Sequence, residues 1–161
     1  MKKLPVILTL ALVLLTSTYY SGSQDETEYT PVLLSRDDLP KSIFSREARE
    51  FSRPGKIQVY NQIIFVVEKY QGIHVIDNTN PASPGNSGFI HIPGCISMAV
   101  KNNVLFADNA VDLVSIDISQ FPVIKELDRF QDVFPEHTPP DLDYIPANFS
   151  SRHRQTKAVH F

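Results

Sequence analysis

Hydrophobic and polar positions repeat along the middle of the chain with a period of about 41 residues. The first copy, within residues 56–84, runs from a short apolar strand through a polar pair to an apolar run. A second turn and a strand ending in aspartate complete it. The second copy follows the same order from about residue 97. Several short strands in a period of about 40 residues are typical of propeller blades or of a β-repeat array.

Each period predicts four strands. They are expected at 57–60, 63–67, 72–77 and 89–92, and again at 97–100, 104–107, 112–116 and 123–127. The polar pairs Asn61-Gln62 and Asn102-Asn103 predict two-residue hairpins, because asparagine tolerates the positive φ that such turns need. The near-continuous apolar run 63–67 predicts a strand buried on both faces.

The expected fold is therefore all-β, with two four-stranded, antiparallel, propeller-blade-like sheets forming an incomplete propeller. Two blades cannot close a ring, which takes about four. Either two open sheets pack face to face, or chains assemble, or further blades are missing. We favour a compact monomer, or a homodimer that covers its exposed edge strands.

The N-terminus predicts a secretory signal peptide over residues 1–23. Lys2 and Lys3 precede the apolar run Leu4–Leu15, and small and polar residues follow. The run has about 12 residues, against about 20 for a membrane-spanning helix. Cleavage is expected after Ser23, so that the mature chain begins at Gln24. A retained anchor and a buried N-terminal helix are the alternatives.

The rest of the chain divides by composition into three parts. Residues 24–53 predict an N-terminal tether with a short strand at 31–35 and a helical turn in the mixed-charge stretch after it. Residues 54–130 hold the two repeats. Residues 131–161 form a proline-rich tail in which 159–161 could add a last strand.

The charge excludes one class of partner. The whole chain has 15 basic and 18 acidic side chains, and removal of Lys2 and Lys3 leaves 13 basic ones and a net charge of −5. Such a chain has no overall electrostatic attraction for nucleic acid or anionic lipid. We therefore predict no nucleic-acid partner, and contact with a membrane only through the N-terminal segment.

One turn of the second repeat collects polar side chains. Asp108, Asn109 and Asp112 bring three oxygen-bearing side chains to one loop, where they could hold a cation or a polar ligand. The alternative is a charged loop that satisfies its own backbone. Asp77 and Asp117 end equivalent strands, and each is followed two residues later by Thr or Ser, a spacing typical of side-chain-to-backbone turns.

No catalytic, metal or cofactor site is predicted. The five histidines show no zinc-site spacing, and no phosphate-binding glycine loop or nucleophile elbow occurs. Cys95 is the single cysteine, which excludes an intramolecular disulfide and predicts a small buried side chain. His74 alternates with Ile73 and Val75, so it is expected on the opposite sheet face.

The run Gly-Ile-His-Val-Ile-Asp-Asn-Thr-Asn-Pro at 72–81 resembles the LVIVD repeat of bacterial envelope proteins, and 113–119 matches the same core. The wider chain is similar to LVIVD-repeat lipoproteins of the Bacteroidetes type. The resemblance implies a β-propeller-like fold and an exported protein without a known biochemical activity. Those relatives carry a lipidated cysteine after the apolar run, whereas 16–23 contains none, which leaves a released chain as the alternative.

The leading hypothesis is a non-catalytic envelope protein, a scaffold or a module that binds a protein or a glycan. It would reside in the periplasm, at the outer membrane or cell surface, or outside the cell. A structural subunit of a larger propeller is one alternative. A hydrolase of envelope polymers, with a site built from Asp108, Asp112 and a histidine, is the other. A buried acid–base pair with shifted pKa values in a deep pocket would favour that last reading.

Overall fold

The computed structural model describes residues 32–139, 141–143 and 156–160. The predicted signal peptide and its cleavage site at Ser23 and Gln24 lie outside the described residues. Strands account for most of this part of the chain. They are β1 (Val32–Ser35), β2 (Phe44–Arg46), β3 (Pro54–Tyr60), β4 (Ile63–Glu68), β5 (Gly72–Asp77), β6 (Gly85–His91), β7 (Met98–Lys101), β8 (Val104–Asn109), β9 (Asp112–Gln120), β10 (Val123–Phe130) and β11 (Thr156–His160).

The all-β prediction and the two blade-like antiparallel sheets are confirmed. One sheet has the order β2-β6-β5-β4-β3 and the other the order β10-β9-β8-β7, and neither closes into a barrel. The first sheet has five strands where four were predicted, because Phe44–Arg46 pairs with the edge of β6. A two-stranded sheet of β1 and β11 joins the two ends of the described chain.

Asparagine closes the predicted hairpins. Asn61 has φ of 55°, and Asn102 and Asn103 have φ of 52° and 59°, so each pair makes the two-residue connection expected from sequence. The predicted aspartate turns also form, since the Asp77 and Asp117 carboxylates each accept a hydrogen bond of 2.8 Å from a backbone amide two residues on. These local features set the register of both sheets.

The core lies between the two sheets. Its largest buried side chains include Phe65, Ile73, Ile90, Leu105 and Ile116, and Cys95 is fully buried among them. One side chain also joins the facing edge strands. Gln58 of β3 donates Nε2 to the Val100 carbonyl at 3.1 Å and accepts the Val100 amide at Oε1 at 2.9 Å. The interface is thus apolar in the middle and hydrogen-bonded at one edge.

Strand β4 is buried on both faces over residues 65–68, as the apolar run predicted, while Ile63 and Ile64 are half-buried. In the described part of the chain, no further blade covers its outer side. A covering segment, residues 47–53, lies there instead. The Phe51 ring packs on the His74 ring at 4.0 Å, and the Arg49 guanidinium lies 5.1 Å from the centre of the Phe89 ring. The mixed charge of this segment predicted an exposed loop. That prediction gave no indication that the segment covers part of the sheet.

The flanks add little regular structure. A 3₁₀ turn spans Leu39–Ser42, and its buried Leu39 packs with Ala110 beneath Leu34. The last described strand is Thr156–His160, three residues before the start predicted for it at 159. Within the residues that the structure describes, no helix is long and apolar enough to cross a membrane.

Candidate functional site: an apolar groove on the four-stranded sheet

A groove of about 550 Å³ lies on the outer face of the four-stranded sheet, away from the core. Phe106 and Leu113 form its floor, and the stretch 134–138 forms a wall along it. Phe106 is 38 % exposed and Phe134 is 39 % exposed. Phe130, which lies opposite Leu113 in the strand register, is also exposed. Several aromatic surfaces are therefore accessible at one place.

The wall is fixed by the loop between β8 and β9. The Phe134 amide donates to the Val111 carbonyl at 2.9 Å, and the Asp132 amide donates to the Asp112 carboxylate at 3.1 Å. Asp112 has only 1 % of its side chain exposed and also accepts from Arg36 at 2.6 Å and from Arg129 at 2.9 Å. Asp112 thus joins the turn after β1, strand β10 and the groove wall.

This pairing determines the charge of Asp112. Burial raises its pKa, but hydrogen bonds from Arg36, the Asp132 amide and Arg129 hold the pKa below its ordinary value. Arg129 adds a hydrogen bond of 2.8 Å to the Asn109 side-chain oxygen. The carboxylate therefore stays ionised at neutral pH, and its lone pairs are used within the protein.

Asp108 lies on the groove side and holds another part of its lining. Its carboxylate accepts hydrogen bonds from the Ile96 amide at 3.0 Å and from the Ser97 amide at 2.8 Å. Burial raises its pKa, and these amide hydrogen bonds act against that shift. Asp108 therefore anchors the 96–97 loop, which lines the groove.

The three residues predicted as one ligand patch are thus divided. Asn109 and Asp112 share Arg129, and the Asn109 amide group also donates to the Pro93 carbonyl at 2.8 Å. Asp108 binds the other loop. The division follows from β8 extending to Asn109, because successive side chains of a strand point to opposite faces. All three support the groove through internal hydrogen bonds, and their binding of an external ligand stays a prediction.

Polar groups collect at one end of the groove. The Tyr70 and His137 rings meet edge to face with their centres 5.4 Å apart, and the Arg53 guanidinium lies 5.7 Å from the Tyr70 ring centre. Lys56 reaches Ser97 with Nζ 3.4 Å from Oγ. An occupant would thus meet mainly apolar and aromatic surface, with polar and charged groups near one end.

Cys95 lies next to this site but inside the protein. It is fully buried, and its thiol contacts the Ser97 carbonyl at 3.5 Å. Burial and the nearby Asp108 raise the pKa of the thiol well above its ordinary value. The thiol therefore stays protonated at neutral pH, which fits the buried side chain expected from sequence.

Sequence reasoning missed a buried pair elsewhere, Glu68 and His74. His74 Nε2 lies 3.1 Å from the Glu68 carboxylate, and both side chains are fully buried under the covering segment. Burial raises the pKa of Glu68, but the amides of Ser52 and Arg53, with His74, hold it below its ordinary value. Burial lowers the pKa of His74, although Glu68 acts in the opposite direction.

The pair has the residue types of an acid–base dyad, but a substrate cannot reach its buried side chains. Neither residue lines the groove, and Phe51 stacks directly on the imidazole. No sequence signal identifies the pair, because the partners of Glu68 are backbone amides of a distant segment. Among the described residues, no group of histidine, cysteine, aspartate and glutamate is placed to hold a metal ion.

A scan against protein-family models, a search of curated proteins and a search of solved structures found no match to this chain. The resemblance to the LVIVD repeat therefore stays a prediction.

Proposed function

We propose that this chain is a non-catalytic binding module of the cell envelope, exported by its N-terminal segment, and that it holds an apolar segment of a protein partner in the groove. The groove is the observation that carries the proposal. Its volume of about 550 Å³ is within the range of ligand sites. Its floor is apolar, and the wall adds Phe134 and Pro135 before the polar residues 136–138.

The chemistry of the lining favours a peptide over a glycan. Accessible Phe106 and Phe134 offer apolar surface of the kind that anchors protein contacts, where aromatic residues dominate the binding energy. A sugar carries many hydroxyl groups and would leave them unpaired on this floor. The polar groups near Tyr70 and Lys56 would meet the end of the bound segment.

A binding role is also supported by how the acidic groups are used. Both oxygens of Asp108 accept hydrogen bonds from the Ile96 amide, and one also accepts from the Ser97 amide. Asp112 is shared between two arginines. Hydrolysis would need a carboxyl group with access to substrate and a proton to give or take.

The test begins with an array of random eight-residue peptides, screened for binding to the whole protein. Selected peptides are then titrated by fluorescence polarisation against the wild type, Phe106→Glu and Val123→Glu. Val123 is the control, because it is 73 % exposed on β10 and does not line the groove. Thermal unfolding of each variant checks that it is folded.

We expect peptides rich in aromatic and aliphatic residues, with affinity reduced about tenfold or more by Phe106→Glu and unchanged by Val123→Glu. Equal affinity for both variants would overturn the groove as the site. If the protein binds dodecanoate in a parallel titration and binds no peptide, the proposal that the groove holds a peptide is wrong. Turnover of any bound peptide would contradict the non-catalytic role.

A further inference from the structure

One end of the groove is rich in positive charge. Lys56 lines it, and the Arg53 guanidinium lies 5.7 Å from the centre of the Tyr70 ring, which also lines the groove. Lys69 lies beside Arg53, because its amide donates to the Arg53 carbonyl at 3.0 Å. Arg53, Lys56 and Lys69 are all exposed, and they are here called the basic end of the groove.

The strand pairing brings these three residues together. Pro54 at the start of β3 lies opposite Glu68 at the end of β4, so Arg53 and Lys69 flank this pair. The Lys69 side chain packs against β3, since its Cγ lies 3.3 Å from the place that a Cβ on Gly55 would take. Like charges held close together repel one another, and an anion bound among them would offset that repulsion.

The basic end is not paired with carboxylates of the described residues. None of its three side chains forms an ion pair with a described aspartate or glutamate. The contact of Lys56 Nζ, 3.4 Å from Ser97 Oγ, is with a neutral group. Arg36 and Arg129, in contrast, are both paired with the buried Asp112. The basic end thus keeps its positive charge for contact with another molecule.

Two carboxyl groups also line the groove, those of Asp108 and Glu136. Asp108 is buried and accepts hydrogen bonds from the Ile96 and Ser97 amides, and Glu136 is half-buried. Three exposed cations therefore outnumber two carboxyl groups that are less exposed. The net electrostatic attraction of this part of the groove is for an anion.

The apolar floor and the basic end together select one kind of segment. Phe106 and Leu113 provide apolar surface for its side chains, while a carboxylate at one end would meet the cations. An N-terminal ammonium group at the same place would be repelled, so the charges also fix the direction of the segment. We propose, on the basis of the function proposed above, that the groove binds an apolar peptide segment whose end carries a carboxylate, held at the basic end.

Two sources can supply this carboxylate. One is the C-terminus of the partner, and the other is the side chain of an aspartate or glutamate at the end of the segment. Both present two acceptor oxygens to lysine and arginine donors. Exposed ion pairs each contribute modestly to a free energy of binding, so the carboxylate adds to an affinity that the apolar floor supplies.

The experiment uses a peptide selected from the random array in three forms, each labelled at its N-terminus: the free acid, the C-terminal amide, and the amide extended by one aspartate. Fluorescence polarisation gives the dissociation constant of each form for the whole wild-type protein, for Lys56→Gln and for the double variant Lys56→Gln with Arg53→Gln. Lys125→Gln is the matched control, because it removes one exposed positive charge from β10 and lies outside the groove lining. Thermal unfolding checks that each variant is folded.

We expect the free acid to bind the wild type about three- to tenfold more tightly than the amide. This difference should shrink in Lys56→Gln, vanish in the double variant and persist in Lys125→Gln. Raising the salt concentration from about 0.1 M to about 1 M should also remove it. An aspartate-extended amide that matches the free acid would assign both sources of the carboxylate, and one that binds like the plain amide would assign the C-terminus alone. A gain from the aspartate without a gain from the free acid would assign the side chain.

Equal affinity of the three forms for the wild type would overturn this inference and leave the proposed function standing. So would a preference for the free acid that persists in the double variant. If no form of any peptide binds, the proposed function is wrong, and this inference is wrong with it.

Discussion

The Glu68 carboxylate and the His74 imidazole meet 3.1 Å apart beneath the covering segment, and neither side chain is exposed to solvent. Glu68 also accepts hydrogen bonds from the backbone amides of Ser52 and Arg53. One carboxylate thus ties residues 47–53 to the sheet through two backbone amides of that segment.

This arrangement predicts how stability depends on pH. The folded-state pKa of His74 lies below its ordinary value of 6.5, so below that pH the unfolded chain binds the proton more readily. The folded-state pKa of Glu68 lies below 4.5, so a further loss follows below that pH. We expect the free energy of unfolding to fall as the pH is lowered from 7 through 6.5 and again below 4.5, as measured by urea denaturation.

Two variants test how His74 and Glu68 each contribute to stability. In His74→Gln the loss that begins near pH 6.5 should shrink, because glutamine can donate to Glu68 but does not titrate. Glu68→Gln should cost about 1–3 kcal/mol at pH 7, because the two amides lose a charged acceptor. Identical pH profiles for wild type and His74→Gln would contradict the role of this imidazole.

Position 72 requires glycine, because a side chain there would collide with the neighbouring strand. Its φ is +144°, and a Cβ there would lie 2.0 Å from the Ile90 carbonyl oxygen, so Gly72→Ala forces the backbone of β5 and β6 apart. We expect a loss of about 3 kcal/mol or more in the free energy of unfolding. Gly85→Ala is the matched control, since nothing lies within 4 Å of its Cβ position. Equal stability of the two variants would contradict this packing.

Asp112 should stabilise the fold and position the groove wall. Asp112→Ala leaves Arg36 and Arg129 without their shared buried carboxylate, and we expect a loss of about 3 kcal/mol. Hydrogen exchange at residues 132–136 should also become faster, because the Asp132 amide loses its acceptor. Asp37→Ala, at an exposed position, is the control and should change stability by less than about 0.5 kcal/mol. Unchanged exchange at the wall would show that Asp112 does not hold it.

The contact between the edge strands can be tested at Gln58. Its side chain makes two hydrogen bonds to the Val100 backbone. Gln58→Ala should cost about 1–3 kcal/mol, because it leaves the Val100 amide and carbonyl without these partners. Gln62→Ala, in the exposed hairpin turn, serves for comparison. If both variants unfold at the same urea concentration as wild type, Gln58 does not join the sheets.

The sequence predicted features that depend on neighbouring residues. The hairpins at Asn61 and Asn102 and the turns at Asp77 and Asp117 follow from local backbone preferences. The eight strands at residues 57–127 were predicted from the period of the apolar pattern. Each of these predictions rests on the spacing of apolar residues along the chain or on residues within or next to the turn.

Other features depend on distant contacts and left no pattern. Phe51 lies among charged residues, so nothing in its surroundings indicates that it covers a buried histidine. The patch at Asp108 and Asn109 is a different case. Strand alternation would have separated the two residues, had β8 been predicted to reach 109 rather than end at 107.

The most direct test of the binding role is hydrogen exchange of the whole protein, measured with and without a saturating selected peptide. We expect slower exchange at residues 96–99, 106–108 and 134–138, three stretches that line the groove. Phe106→Glu should abolish this protection. Protection confined to β10 or to β3, or no protection at peptide concentrations that saturate binding, would contradict the groove as the binding site.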